Sequence, residues 1–549
     1  GFSFDLVYLL SDGGNYLQPQ KTNVLGILRT LGLEERLGKK GGIHLVEQTG
    51  EDRLSPWGSW AAIWMDTLGN WTSQRVMPVQ PPELAIYEGG EPLRWSFREE
   101  GEFALQIKGE LPPLGWSQML VNPRFGWLTD ETGCGHLWLG NSREAPITPW
   151  NNDPLAMGGP EWFLLRLQGE THSLFAWSDG LSTTVTYGFG WARWEKDWPF
   201  GRVKTTALVP WDKDHRLILV ELPEGTGEGE LIRILVGKTK TEYAVHGCIC
   251  LETGTEGTRC VPSKEFVSSL SMTRRRWREI TCPLKVDTPD RELDQYLNGW
   301  CLYQVIACRL LGRTSRYQNG GAYGFRDQLQ DALALLPFDP SWMRDQILRC
   351  CAHQFWEGDV QHWWHEVGPE KNRGVRTRIS DDLLWLPYCL GRYINTWDAW
   401  EVLSEQVCYL SGEPLKTGEP ERYFVPPSTA ETEDVYTHAL RAIRCVLERG
   451  VGEHGLLKMG SGDWNDGMNE VGKRGKGESV WLTWFAVAVL DGFAPLAVYR
   501  QDEDTLALCR KWSKRLKEAA ETAWDGDWYL RGWYDDGSTL GSYKDQECQ

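Results

Sequence analysis

Apolar and polar positions divide this chain into three regimes. Over residues 1–85 an apolar run, Phe4 to Leu10 broken by Asp5, precedes Leu25, Ile27, Leu28 and Leu31 ahead of Gly32, and then Gly42 to Val46. That order predicts a strand, a helix and a strand in a small mixed α/β segment. Over 86–275 short runs of β-branched and aromatic residues alternate with Gly, Pro and Asp turns, as in Ser173 to Trp177, Thr183 to Phe189, Val203 to Val209, Leu217 to Leu222 and Leu231 to Val236. Many short strands at this spacing predict a large antiparallel sandwich. After Asp287-Thr288-Pro289-Asp290 the period changes: Leu293, Tyr296, Leu297, Trp300 and Tyr303 fall on one helical face, with Thr288 or Asp290 as N-cap. Helical patterns recur over 340–356, 380–393, 397–411, 430–449, 479–499 and 503–523, separated by Gly- and Pro-rich loops. Antiparallel helix pairs are the expected architecture. Residues 276–295 read as a linker and 296–549 as the helical domain. Leu540 to Gln549 carry neither a helix stop nor a polar tail, as if the chain paused in mid-domain.

Length adds that 549 residues exceed one ordinary domain. A net charge of −18 disfavours a nucleic-acid surface and favours a neutral ligand or one held by local cations. The 31 tryptophans are the outlier: most should fill cores, and the rest can offer flat faces and N–H donors to sugars. The 14 cysteines form no C-x-x-C pair, which predicts reduced, mostly buried thiols in a cytosolic compartment and no zinc site. No uninterrupted run of about 18 apolar residues exists, so no membrane span is expected. The N-terminus lacks a basic n-region and starts at Gly1, which suggests processing or a longer parent chain.

Two loops concentrate the chemistry. Gly460 to Asn469 packs Asp463, Trp464, Asn465 and Asp466 between glycines. Glycosidic cleavage uses a carboxylic acid to protonate the leaving oxygen, and Asp466 is the candidate. Asp463, Asn465 and Trp464 are candidates for sugar contacts, with burial or Asp463 expected to raise the Asp466 pKa. An EF-hand is excluded because no Glu stands at the twelfth position of the loop. The second loop, Arg316 to Asp331, places Arg326, Asp327 and Asp331 at a helix start, where an Arg–carboxylate set can clamp hydroxyls or form a structural salt bridge. It lacks the Gly-Lys-Ser/Thr ending of a nucleotide loop. Arg309, Arg313, Arg316, Arg373, Arg376 and Arg378 cluster in an otherwise acidic chain, either as a phosphate site, with Arg316 the candidate, or as a solvated basic face. His362-Trp363-Trp364-His365-Glu366 lacks the H-E-x-x-H order of a zinc helix and reads as an aromatic wall with polar tips beside a sugar. Asp381-Asp382 precede the apolar run Leu383 to Leu386, and either is a helix cap or a further site carboxylate, Asp382 being the candidate for sugar contacts.

At these residues the chain resembles glycoside hydrolase family 94, the inverting glycoside phosphorylases formerly grouped as glycosyltransferase family 36. The carriers are Gly321 to Asp331, Arg378 to Pro387, Gly462 to Asn469, Asn141 to Glu144 and Thr148 to Pro154. It is most similar to the branch of 1,2-β-oligoglucan phosphorylases and the C-terminal half of cyclic β-1,2-glucan synthases. The resemblance implies a multidomain β + α chain: an N-terminal β-super-sandwich, a helical linker and an (α/α)6 barrel. It implies Asp466 as general acid, with Trp464, Arg326 and Asp331 around the sugar that leaves as glucose 1-phosphate. Inorganic phosphate is the implied co-substrate, with a β-gluco-oligosaccharide as partner, no other cofactor and no metal. An inverting hydrolase using Asp382 or Asp331 as base and a non-catalytic glucan-binding segment are the rivals. Family members continue beyond the equivalent of Gln549 with residues that complete the barrel and hold phosphate, so this segment alone is expected to turn over negligibly. A homodimer, and membership of a longer polypeptide, stay open.

Overall fold

The strand pattern folds, in a computed structural model that describes residues 6–11, 43–48, 94–112, 114–150, 159–235, 239–283, 285–366 and 371–543, into a twelve-stranded sheet and a separate three-stranded sheet. Residues 1–86 with 235–239 form one compact unit, and the remainder, holding sandwich and helices together, forms another. In the first unit Leu6–Ser11 and Ile43–Gln48 pair in parallel. The helix expected around Leu25 and the motif residues Asn151 to Pro154 lie outside the described residues.

Within the large sheet, Ser182–Gly188, Trp191–Trp198 and Gly201–Leu208 pair antiparallel in sequence order. Period-two alternation sends Trp194, Lys196 and Trp198 inward from one strand. Lys196 is tolerated there because its Nζ donates to Asp179 Oδ2 (2.5 Å) and to the carbonyls of Ser173 and Phe175. The three-stranded sheet, Gln118–Val121, Phe125–Thr129 and Gly135–Leu139, shares this core through Leu120, Trp127 and Leu137. Trp127, Trp138, Trp191, Trp194 and Trp277 are fully buried, so core filling accounts for much of the tryptophan excess.

Helical structure begins earlier than the expected change near Asp287. Helix α1 (Ser263–Thr281) directly follows the last sandwich strand, Gly257–Val261, and packs on the sheet. Its inner positions are Phe266, Ser269, Thr273, Trp277 and Thr281, and three small polar residues among them blur the apolar stripe. The continuous face expected over 293–303 is also split. Asp290 caps Arg291–Gln295 through the amides of Glu292 and Leu293, after which π-type turns span Tyr296–Trp300 and Val305–Gly312. Leu293 and Tyr296 are exposed, whereas Trp300 and Tyr303 are pulled into the sandwich core. There Trp300 Nε1 donates to the Gly101 carbonyl and the Tyr303 hydroxyl to that of Met119.

Next come α2 (Phe325–Leu333), α3 (Pro340–Cys351), α4 (Asp382–Trp397), α5 (Val435–Arg449), α6 (Val480–Tyr499) and α7 (Glu503–Glu521). Asp339, Asp434, Ser479 and Asp502 cap α3, α5, α6 and α7 through side-chain oxygens. Helix α4 packs on α2, α3, α5 and α6, and α6 on α7. The helix expected over 397–411 does not form. Asp398 takes a left-handed φ of 54° and stops α4, and Gln406–Leu410 becomes a strand paired with Ser428–Asp434. A four-stranded sheet, Tyr323–Gly324, Gln361–His365, Arg373–Thr377 and Glu421–Phe424, stands among the helices, so simple helix pairs are not the whole architecture. By length and composition α6 is apolar enough to cross a bilayer, contrary to the expectation of no such segment. Here it is a core helix, with Leu482, Ala486, Val489 and Phe493 buried.

Candidate active site

The two loops picked out in the sequence meet. A buried network centres on Arg326, in the first turn of α2, and on Asp381 and Asp382, where α4 begins and the helix dipole favours negative charge. Arg326 Nη1 donates to Asp381 Oδ1 (2.7 Å) and to the Asp463 carbonyl (3.0 Å), and lies 3.5 Å from Asp382 Oδ1. Its other terminal nitrogen, Nη2, donates to Asp466 Oδ1. Asp381 also accepts from Trp385 Nε1 at 3.0 Å. Burial, and then the neighbouring Asp382 charge, push the Asp381 carboxyl up to about 7, against the pull of Arg326.

Asp466 is the solvent-facing member, with its side chain 53% exposed. The expected rise in its pKa is overturned. Burial does push its carboxyl up, but His362 and Arg326 more than offset this and hold it below the ordinary carboxylate range. Asp463, expected to raise it, faces the other way. Asp463 is buried and accepts from Ser479 Oγ (2.5 Å), Arg531 Nη2 (2.6 Å) and the amide of Asn465. It anchors the loop from behind instead of lining a sugar site. Asn465 is exposed and caps the Asp466–Met468 turn through the amide of Gly467. Trp464 is 52% exposed beside Asp466.

The rest of the loop is stitched to the start of α4. Gly460 pairs with Ile379, the Ser380 amide and hydroxyl both donate to the Gly462 carbonyl, and the Ser461 amide donates to the Arg378 carbonyl. Gly460 sits at φ 68°, and a Cβ there would stand 2.3 Å from the Arg378 carbonyl oxygen. Only glycine suits that position.

Three expected site residues are placed differently. Asp331, expected around the sugar with Arg326, lies on another side of α2 and accepts from Arg309 Nε at 3.0 Å. Asp327 lies 3.7 Å from the same guanidinium. Burial raises Asp331 to about 6, with Arg309 opposing and Asp327 adding to the rise. One helical turn after Arg326 the site-facing residue is Gln330, whose Oε1 accepts from Trp464 Nε1 at 3.3 Å. Arg316 is not a free phosphate cation, because it is ion-paired with buried Asp130 of the sandwich. The other clustered arginines are committed too. Arg376 binds Asp359 and Glu357, Arg378 binds the carbonyls of Leu415, Lys416 and Glu419, and Arg313 binds those of Leu310, Leu311 and Gly140. Neither a phosphate cluster nor a solvated basic face results.

Asp381 is a site carboxylate that the sequence left open as a helix cap, and His362, expected only as a polar tip of an aromatic wall, is the unforeseen ionic neighbour of Asp382. His362 Nδ1 binds Asp382 Oδ2 at 2.8 Å, and its Nε2 stands 3.5 Å from Asp466 Oδ2. Burial works against the charged imidazole, but Asp382 and then Asp466 more than offset that and raise it to about 10. For His362 the signal was that same adjacent pair, Asp381-Asp382 before an apolar run, since two buried carboxylates demand cationic partners. His365 faces away, toward Asn141 Nδ2 at 3.1 Å, and burial together with Arg143 and Arg373 lowers it to about 3. Among the described residues no cluster of metal-ligating side chains occurs.

Known proteins resemble the chain in this same order. The chain is 30% identical over 577 aligned positions to the cyclic beta-(1,2)-glucan synthase NdvB of Rhizobium meliloti, across 84% of this chain and 20% of that protein. It is 27% identical to the 3-O-beta-D-glucopyranosyl-beta-D-glucuronide phosphorylase of Paenibacillus borealis, over 58% of this chain and 39% of that one. It is 32% identical to solabiose phosphorylase of the same organism, over 49% and 31%. It therefore spans between a fifth and two-fifths of the length of these relatives. Residues 102–235 match the supersandwich domain of glycosyl hydrolase 94, and residues 276–549 match the catalytic domain of the glycosyl hydrolase 94 superfamily. With both domains of one family present in sequence order, the chain belongs to the glycosyl hydrolase 94 superfamily.

Proposed function

We propose that this site performs inverting phosphorolysis of β-linked gluco-oligosaccharides, β-1,2-linked ones foremost, releasing α-glucose 1-phosphate. The observation that carries the reading is the half-exposed Asp466 carboxylate, mounted on buried Arg326 and partly buried His362 with the open face of Trp464 beside it. Asp466 is the acid for the glycosidic oxygen, and inorganic phosphate attacks the anomeric carbon from the opposite face. Phosphate arrives as an anion, so no base is needed. Without sugar, Arg326 and His362 keep Asp466 ionised. Sugar hydroxyls that take over the Arg326 donors relieve that hold, and exclusion of water raises the acid further. Trp464 stacks on a ring, with Gln330 fixing the indole. Helices α2 to α7 are read as part of an (α/α)6 barrel, with the starts of α2 and α4 at its mouth. Inorganic phosphate is the co-substrate, and no further cofactor is invoked.

A hydrolase would need a second carboxylate free to activate water. Asp382 is engaged by His362 and Arg326, and Asp331 by Arg309, which favours phosphorolysis. A non-catalytic segment that senses glucan chain length within a cyclic glucan synthase is the remaining reading. It draws on the match to one-fifth of such a protein. The deciding assay incubates the native polypeptide carrying this chain with β-1,2-gluco-oligosaccharides, with and without phosphate. Glucose 1-phosphate supports the proposal, phosphate-independent glucose supports a hydrolase, and binding without turnover supports the segment reading.

A further inference from the structure

Asp466 as acid leaves a physical problem. Its surroundings strip it of the proton it must deliver, and neither the two loop motifs nor the family resemblance says where that proton is kept. The geometry answers with a residue expected only as a polar tip of the aromatic wall. His362 lies behind Asp466, 15% exposed against 53%, so its Nε2 approaches the reacting region through that carboxylate. Its Nδ1 is tied to Asp382 Oδ2 at 2.8 Å, and Asp382 is itself buried. The imidazole therefore bridges two carboxylates, one sealed in the core and one at the open face. At 3.5 Å the Nε2 to Asp466 separation is an ion-pair distance, longer than a formed hydrogen bond, and such contacts tighten when substrate binds.

We infer that His362 is a positioning residue that stores the catalytic proton and passes it to Asp466 when sugar fills the site. This rests on the reading of Asp466 as the acid. The charged groups that meet the imidazole are Asp382 from α4 and Asp466 from the glycine-flanked loop, and Arg326 from α2 meets both of those carboxylates as well as Asp381, the N-cap of α4. On the adjoining strand Arg376 turns to Asp359 and Glu357 instead. With two carboxylate neighbours the imidazole stays doubly protonated through neutral pH, which fits its elevation to about 10.

The step balances without an added oxidant or base. The Nε2 proton moves to Asp466 Oδ2, making a neutral carboxylic acid and a neutral imidazole. The acid protonates the glycosidic oxygen as the bond from anomeric carbon to oxygen breaks, while an oxygen of hydrogenphosphate bonds to that carbon. The product monoester sheds the hydroxyl proton it brought, because its second pKa is about 6. That proton recharges His362, so oligosaccharide and hydrogenphosphate become shortened sugar and glucose 1-phosphate dianion with no net proton change.

The test has a kinetic arm and a turnover-independent arm. The pH profile of kcat/KM, from pH 5 to 10, is measured on the native polypeptide with the wild-type residue, His362→Gln, Asp382→Asn and Asp466→Asn. Wild type should hold its rate to above about pH 8. Without the store, Asp466 carries a proton only in acid, so His362→Gln should lose about 100-fold or more at pH 8 and under about tenfold at pH 5. Asp382→Asn should move the alkaline limb the same way by about one pH unit, and it serves if His362→Gln does not fold. A uniform loss at every pH would mark a merely structural histidine and overturn the inference. So would an unchanged profile. An undiminished Asp466→Asn enzyme would instead overturn the acid assignment. In the second arm, ¹⁵N-histidine NMR on the 549-residue chain follows the resonance that vanishes in His362→Gln. It should remain an imidazolium at pH 8 and titrate lower in Asp466→Asn, whereas titration at or below the ordinary value near 6.5 sinks the proposal.

Discussion

Asp466 and His362 are two halves of one titrating unit, and their opposite shifts set how this region responds to pH. The His362 pKa is raised when folded, so its stabilisation is complete below about 6.5, the free-histidine value, and is lost as pH rises toward about 10. The Asp466 pKa is lowered when folded, so its contribution is present above the free-carboxylate range near 4 and is lost as pH falls through its depressed value. Melting temperature should therefore be highest between about pH 5 and 7. Replacing His362 by Gln should flatten the alkaline fall, and an unaltered alkaline slope would contradict the bridge. For catalysis, Asp466→Asn should keep fold and sugar binding while cleavage drops about 10²- to 10⁴-fold. A substrate with a good leaving group should suffer less, because it needs less protonation. Retention of more than about a tenth of the rate would remove Asp466 from the acid role.

At the scale of elements, the Gly460–Asn469 loop is hydrogen-bonded between the starts of α4 and α6. Asp463 binds Ser479, the N-cap of α6, together with Arg531, so one buried carboxylate ties loop to helix. Asp463→Ala leaves Arg531 with Ser479 Oγ but without its carboxylate partner and should cost about 3–5 kcal/mol, read as a lower melting temperature with cleavage falling alongside. Gly460→Ala acts on the same loop by a steric route. The new Cβ would sit 2.3 Å from a backbone carbonyl at a left-handed φ, so the bridge to Ile379 must open. A cost of about 1–3 kcal/mol and loss of cleavage are expected, and full activity with unchanged melting would show that the loop adapts freely.

At the scale of the molecule, sandwich and helical region are joined by polar bonds as well as by apolar packing. Asn141 Nδ2 donates to the Gly321 carbonyl at 2.6 Å, Arg373 pairs with Glu144, and Arg316 pairs with Asp130. Asp130 lies beside Glu131, which burial and then the Asp130 charge push up to about 8. Arg316→Ala therefore leaves two adjacent buried acids short of a cation, and should destabilise the protein by about 3–5 kcal/mol. Below the melting transition its KM for phosphate should be unchanged. A selective rise in that KM without loss of stability would restore Arg316 to the phosphate site.

The sequence by itself determined the division into strand-rich and helix-rich halves and marked the Gly321–Asp331 and Gly460–Asn469 motifs as the candidate loops, whereas their meeting through Arg326 and Asp466 belongs to the fold. The division and the candidate loops follow from local patterns, since period, capping residues and glycine-flanked loops act within a few residues of chain. The tertiary structure decided which charges face each other. Asp331 and Gln330 are neighbours in sequence, yet the helix turns one to Arg309 and the other to Trp464. Asp463 and Asp466 share a loop, but one is buried against Arg531 and the other open to solvent. Gln406 to Leu410 took up strand because a partner strand from 428–434 lay beside it. His362 became the partner of Asp466 across more than 100 residues. Burial and opposite charge are properties of the folded neighbourhood, so the direction in which each carboxylate and imidazole shifts appears only after the chain has closed around it.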